Sequence, residues 1–191
     1  MVQTRDPDVV RKADKIVVPG QGAFGPFMRG LAEDGLGDAL TERLRAGASY
    51  LGICLGMQVL FEQSQEQGLA STPLPGLGLI AGQVERLHGG PGLKIPHMGW
   101  NQVQRPVNHA TPYPEPMLRG IADGAFVYFV HSYAVRPTAA NVIALTTEYG
   151  SEFCSAVRQD NLFACQFHPE KSQAVGLAMY TRAHDSKAAE E

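Results

Sequence analysis

The chain has 191 residues, of which 44% are apolar, 18% charged and 8% aromatic, a composition that can bury a core without disulfides or metal staples. Lys plus Arg number 16 and Asp plus Glu 19, for a net charge of −3, so nothing electrostatic recommends a nucleic acid or an anionic membrane as partner. The longest wholly apolar run, Ala125 to Val130, is far short of the roughly 20 residues that cross a bilayer, and the polar stretch Met1 to Asp14 lacks the apolar centre of a signal peptide.

Lys15-Ile-Val-Val-Pro19 reads as a buried strand ended by Pro19 and Gly20. From about Pro26 to Arg45, Phe27, Leu31, Leu36, Leu40 and Leu44 fall at helical spacing, and Gly30, Gly35 and Gly37 predict a break in that helix. Ser49 to Ile53 is a second short strand, and Leu55 to about Glu66 reads as a helix with Met57, Leu60 and Phe61 on one face. Strand, helix, strand, helix argues for an α/β fold with parallel strands. Beyond Leu77 the character changes: 79–84, 99–103, 125–135, 141–147, 155–158 and 162–167 read as strands joined by turns, and 172–184 as a closing helix. Helix-poor strands after such a start suggest an antiparallel extension of the sheet. Gly and Pro cluster at 19–26, 73–78, 89–96 and 112–120 without forming a linker, so a single domain over 1–191 is expected.

Three cysteines, Cys54, Cys154 and Cys165, make an odd number with no C-x-x-C pair, which fits a reduced cytoplasmic protein better than a disulfide framework or a zinc site. Cys154 and Cys165 fall in apolar strand-like runs and read as core. Cys54 is different, because Gly52-Ile53-Cys54-Leu55-Gly56 lies between a predicted strand and a predicted helix. This has the form of a nucleophile elbow, with Cys in place of Ser. The turn lifts the side chain out of the sheet, the flanking glycines remove clashing Cβ atoms, and a helix N-terminus would favour thiolate. A buried cysteine between two packing glycines is the plainer alternative.

Gln166-Phe167-His168-Pro169-Glu170 closes a predicted strand, and an extended backbone would aim His168 and Glu170 to one face. A base and the carboxylate that orients it need that alignment, although a surface His–Glu pair would look the same. Gly20-Gln21-Gly22-Ala23-Phe24-Gly25 matches the dinucleotide-binding G-x-G-x-x-G. The acidic residue expected at the end of the next strand is replaced by Cys54, however, and Pro26 follows directly. The glycines suit an oxyanion hole instead, where backbone N–H groups meet developing charge, with the N–H of Leu55 as a second donor.

Taken together, Pro19-Gly-Gln-Gly-Ala-Phe-Gly25, Gly52-Ile-Cys-Leu-Gly-Met-Gln58 and Phe167-His-Pro-Glu-Lys-Ser172 resemble the class I (triad) glutamine amidotransferases. Lys94-Ile-Pro-His-Met-Gly-Trp-Asn101 and Tyr128-Phe-Val-His-Ser-Tyr133 narrow the resemblance to the glutaminase subunits of imidazole glycerol phosphate synthase. The resemblance implies a flavodoxin-like α/β fold with a mainly parallel central sheet, flanking helices and an antiparallel extension. It implies Cys54 as nucleophile, His168 as general base and acid, and Glu170 as its partner. Gly22 and Leu55 match the oxyanion-hole positions, and the peptide at Gln21 is one that this subfamily reorients to complete the hole. Gln58 matches a glutamine-binding residue, with a helix-surface role as the alternative, and Ser132 and Tyr133 match the segment that holds the substrate's amino-acid end.

The implied reaction converts L-glutamine to glutamate and ammonia through a Cys54 thioester. The ammonia would pass to a (β/α)8-barrel cyclase subunit in a heterodimer, with the His97 to Asn101 segment, including Trp100, near that partner. No metal or cofactor is required, and no nucleic acid or membrane is implied. His131 reads as structural, and His88, His109 and His184 as solvent-exposed. Family members carry a further strand and helix, with a Tyr-Gly-Met-Gly-Asn-like turn, ahead of the segment that starts here near Asp6. The resemblance therefore leads one to expect a chain shortened at its N-terminus, with an apolar sheet edge uncovered. A stand-alone cysteine hydrolase and a non-catalytic binding module are the rival classes, separated from this reading by whether glutamine is turned over and whether a partner is needed.

Overall fold

The computed structural model describes residues 1–66, 72–90, 92–106, 116–119 and 121–185. His109 and most of the Gly/Pro cluster at 112–120 lie outside them, as does the side chain of His184. A short helix that the sequence reading did not anticipate, α1 (Pro7–Arg11), opens the fold; Pro7 stands at its first turn and the Asp6 side chain accepts from Asp8 N at 2.9 Å. Strand β1 (Lys15–Gly20) follows, then α2 (Phe24–Ala32) and α3 (Leu36–Arg45). The expected break falls between the two helices, where Asp34 and Gly35 are both left-handed, at φ 56° and 72°.

Strand β2 (Ser49–Cys54) lies parallel to β1, with Lys15 opposite Ser49 and Gly20 opposite Cys54. Helix α4 (Leu55–Gln58) is only one turn long, and strand β3 (Phe61–Ser64) replaces the rest of the helix predicted to run to Glu66. Tertiary pairing overrides local periodicity there. Leu77 N donates to Val59 O, Leu79 N and Ile80 N donate to Leu60 O, and β3 aligns parallel to β5 (Ile80–Arg86). The carbonyls that a longer helix would use are already taken. Strand β4 (Leu74–Pro75) pairs antiparallel with β3.

The remaining strands are β6 (His97–Gln102), β7 (Phe126–His131), β8 (Tyr133–Pro137), β9 (Ile143–Glu148), β10 (Glu152–Gln159) and β11 (Leu162–Cys165), closed by α5 (Gln173–Asp185). Among the described residues, nine strands form one sheet in the order β1-β2-β11-β10-β8-β5-β3-β4, with β9 on β10, while β6 and β7 form a separate two-stranded sheet. The apolar run expected as one strand over 125–135 is thus two strands in two sheets, parted at Ser132. Parallel pairing joins β1, β2 and β11, and antiparallel pairing takes over through β10, β8 and β5. This mixed sheet with flanking helices is the expected α/β class, with its antiparallel extension.

Strand β2 is buried from Tyr50 onward, and its alternation divides the core in two. Tyr50 packs with Phe24, Leu40 and Leu44 of the α2–α3 layer. Leu51 and Ile53 pack on the opposite face with Phe129, Phe163, Phe167 and Met179. The two layers meet at the C-terminal end of β2, where Cys54 sits.

Candidate active site

The turn at Cys54 is strained. Its backbone stands at φ 54°, ψ −106°, a region that costs on the order of 1–3 kcal/mol for a side-chain-bearing residue and is kept where the surrounding structure over-determines it. The glycines show how it is held. A Cβ on Gly56 would overlap the Val18 carbonyl oxygen, and one on Gly52 would come within 2.6 Å of the Gly56 carbonyl oxygen. The helix therefore seats directly on β1 and β2 only without side chains at those positions. Tyr50 donates from its hydroxyl to the same Gly56 carbonyl at 2.7 Å, bracing α4 from below.

His168 is almost fully buried, and its Nδ1 lies 2.7 Å from Glu170 Oε1. The alignment differs in origin from the expectation. Strand β11 ends at Cys165; His168 is extended and a 310 turn over Pro169–Lys171 follows it, so a turn brings Glu170 back against the ring. Tyr128 and Ser172 anchor this corner. His168 N donates to Tyr128 O at 2.9 Å, and Ser172 Oγ donates to His168 O at 2.7 Å while accepting from Tyr128 N at 3.0 Å. With Nδ1–H given to Glu170, Nε2 is left as the basic nitrogen. That nitrogen is buried with no hydrogen-bond partner among the described residues.

Cys54 Sγ instead receives the side-chain amide of Gln166, Nε2 to Sγ 3.4 Å. Burial pushes the Cys54 thiol up to about 11, against the smaller opposing effects of the Leu55 N–H and Gln166. The expected helix-terminal preference for thiolate is thus outweighed: α4 has four residues, too few for a large dipole, and desolvation wins. At neutral pH the resting group is a thiol that needs a base.

One cavity of about 380 Å³ brings together Gly22, Cys54, Leu55, Gln58, Ser132, Tyr133 and His168, within the size range of small-molecule sites. Glu170 is the one expected site residue outside its lining; it stands behind His168. Gly20 to Gly22 form part of the same wall, with Gly22 at φ 100° where a side chain would be strained. Gln58 Nε2 donates to Tyr133 O at 3.1 Å and to Gln166 Oε1 at 2.9 Å. It is buried, which sets aside the helix-surface alternative. The sequence reading overlooked Gln166, Glu66 and Lys171, all at or beside the cavity. Gln166 was open to recognition, since it lies two positions before His168 and is a polar residue in an otherwise apolar strand end. Glu66, which accepts from Phe24 N at 2.9 Å, carries no such mark.

The outer face of the β6–β7 sheet carries Met98, Trp100 and Phe126, which are 62%, 46% and 54% exposed. Register places Trp100 opposite Tyr128 and Met98 opposite Val130, and Val130 also lines the cavity. This face, rich in exposed apolar and aromatic side chains, therefore reaches a residue of the cavity wall. On the inner face His97 and His131 are buried, and Cys154 and Cys165 are core thiols as expected, while His88 is exposed. No helix among the described residues is long and apolar enough to cross a membrane.

A strained cysteine at a strand–helix elbow, lining one glycine-walled cavity with a carboxylate-oriented histidine, is the arrangement of a cysteine-dependent amide-cleaving enzyme. The model of the class I glutamine amidotransferases matches residues 2–183, and the chain belongs to that family. Within it, the chain is 48% identical over 179 residues to the imidazole glycerol phosphate synthase subunit HisH of Syntrophotalea carbinolica, covering 91% of this chain and 82% of the relative. It is also 48% identical over 186 residues to the HisH subunit of Geobacter sulfurreducens, covering 93% and 83%. Among solved structures, a glutamine amidotransferase superposes with TM-score 0.67 at 20% identity, over 95% of this chain and 85% of the other. The glutaminase domain of Trypanosoma brucei CTPS does so with TM-score 0.60 at 19% identity, over 94% and 74%. At such identities these two likenesses speak to the fold.

Proposed function

We propose that this chain is the glutaminase subunit of an imidazole glycerol phosphate synthase, working in the cytoplasm in L-histidine biosynthesis. It hydrolyses L-glutamine in the Cys54 cavity and hands the ammonia to a cyclase partner. The observation that carries this reading is the joining of the cavity holding Cys54 and His168 to the exposed aromatic face of β6–β7 through Val130. The family relation to HisH subunits supports it.

Glu170 fixes the tautomer of His168, so Nε2 takes the Cys54 proton as sulfur attacks the carboxamide carbon of glutamine. The carbonyl oxygen gains charge and is met by the backbone N–H groups of Leu55 and Gly22, after the peptide at Gln21 turns toward the site. His168 returns its proton to the departing nitrogen, which leaves as ammonia and yields the γ-thioester on Cys54. A water then loses a proton to Nε2 and attacks the thioester; glutamate leaves and Cys54 recovers its thiol. Gln58, Ser132 and Tyr133 hold the amino-acid end of the substrate. The raised thiol makes sulfur a poor nucleophile until His168 acts, which fits low activity without the partner. The cyclase covers Met98, Trp100 and Phe126 as half of a heterodimer, and ammonia released beside Val130 emerges beneath that cover, away from bulk water.

The test is ammonia release from L-glutamine by wild type and Cys54→Ala, each with and without a cyclase subunit. Wild type with the cyclase should be the fast case, and both Cys54→Ala samples should be silent. Equal rates in wild type and variant would sink the mechanism.

A further inference from the structure

Two buried histidines outside the triad stand in one unbroken hydrogen-bonded series that ends on the nucleophile. Asn101 Nδ2 meets His97 Nε2 at 3.3 Å, His97 Nδ1 meets His131 Nε2 at 3.0 Å, and His131 Nδ1 meets Tyr133 O at 2.9 Å. The same Tyr133 carbonyl accepts from Gln58, whose amide also donates to Gln166, whose amide in turn donates to Cys54 Sγ.

The direction of every bond is dictated from one end. A carbonyl oxygen only accepts, so His131 Nδ1 must carry hydrogen; in a neutral ring its Nε2 is then an acceptor. His97 must therefore donate from Nδ1, and its own Nε2 accepts from Asn101. Both rings must be neutral for this pattern, and burial holds them so, lowering His97 to about 4 and His131 to about 3. His97 is further clamped by stacking between Tyr149 and Phe129, with centroids at 4.0 and 4.7 Å.

We propose that His97 and His131 are positioning residues for the glutaminase reaction: they fix the Tyr133 carbonyl, and through Gln58 and Gln166 they set where the Cys54 sulfur rests. This rests on the function proposed above. His97 lies on the strand whose other face carries Met98 and Trp100, so whatever docks on that face bears on the first link of the series.

Two substitutions separate the hydrogen bonds from the packing. His97→Phe keeps the ring stack and removes both nitrogens; His97→Asn removes the ring and places an amide near the Nδ1 donor. With the cyclase subunit present, His97→Phe should lower kcat about ten-fold, with KM for glutamine within about two-fold, and His97→Asn should stay within about two-fold of wild type on both. Alkylation of Cys54 by iodoacetamide, without glutamine, should slow in His97→Phe and not in His97→Asn. In 15N spectra of the wild-type protein near neutral pH, both rings should show a protonated Nδ1 and a bare Nε2. The proposal is overturned if His97→Phe is no slower than His97→Asn, or if either ring carries its proton on Nε2. If the wild-type complex releases no ammonia, the proposed function fails, while the tautomers and alkylation rates still decide the role of the pair.

Discussion

The His97–His131 pair makes the fold acid-labile by an amount that can be worked out. In the unfolded chain both rings titrate near the ordinary histidine value of about 6.5, while the folded values are lowered to about 4 and about 3. The unfolded chain therefore takes up protons that the folded chain refuses. The stability is present in full above about pH 6.5 and is lost progressively as pH falls toward those folded values. At about pH 5 each ring is mostly protonated when unfolded and neutral when folded, a loss of about 2 kcal/mol per ring relative to neutral pH. For the pair this reaches about 4 kcal/mol, a large share of the roughly 5–15 kcal/mol that holds a typical domain together. Urea unfolding near pH 7 and near pH 5 should show a large drop in the midpoint at constant slope, with an uptake approaching two protons on unfolding. A fall in stability below about 1 kcal/mol, or ring resonances of His97 and His131 titrating near 6.5 in the native protein, would refute the reasoning.

Glu170→Gln should leave the fold intact and cut kcat by about 10²- to 10⁴-fold, because the amide offers a hydrogen to Nδ1 and turns the ring to the wrong tautomer; steady-state ammonia release reads it. Gly56→Ala should destabilise the protein by about 1–3 kcal/mol or more, since the new methyl overlaps the Val18 carbonyl; thermal unfolding checks this. Trp100→Ala should leave thermal stability nearly unchanged, the ring being half exposed, and weaken binding of the cyclase subunit by about 2 kcal/mol or more, as measured by titration calorimetry. Equal affinity for wild type and variant would remove the β6–β7 face from the interface.

The elements nearest the chemistry were the most legible, because their signals are local. β1 and β2 announce themselves as short apolar runs ended by glycine or cysteine, and the break between α2 and α3 follows from Gly35. The Cys54 elbow was readable because close backbone approach demands glycine at fixed offsets, and the His168–Glu170 pairing because the two are neighbours in the chain. Failures came where distant segments decide. Phe61 to Ser64 has helical periodicity, yet the loop leading into β5 claims its carbonyls. Residues 125 to 135 read as one strand because nothing local marks Ser132 as a crossing between sheets. The His97–His131 contact joins residues 34 apart, and the Gln58–Gln166 contact residues 108 apart; only the register of β6 with β7 and the parallel seating of β11 beside β2 create them.

The parting of the chain at Ser132 has a mechanical consequence. Cys54 ends β2 in the large sheet, and His168, three residues past β11 of that same sheet, also gives its backbone N–H to Tyr128 in the small one. The imidazole is therefore supported from both sheets, and the nucleophile from one. Losing the His168–Tyr128 bond would loosen the ring without breaking a rung of the β2–β11 ladder. Trp100, paired with Tyr128 across the small sheet, stands one rung from that second support of the base.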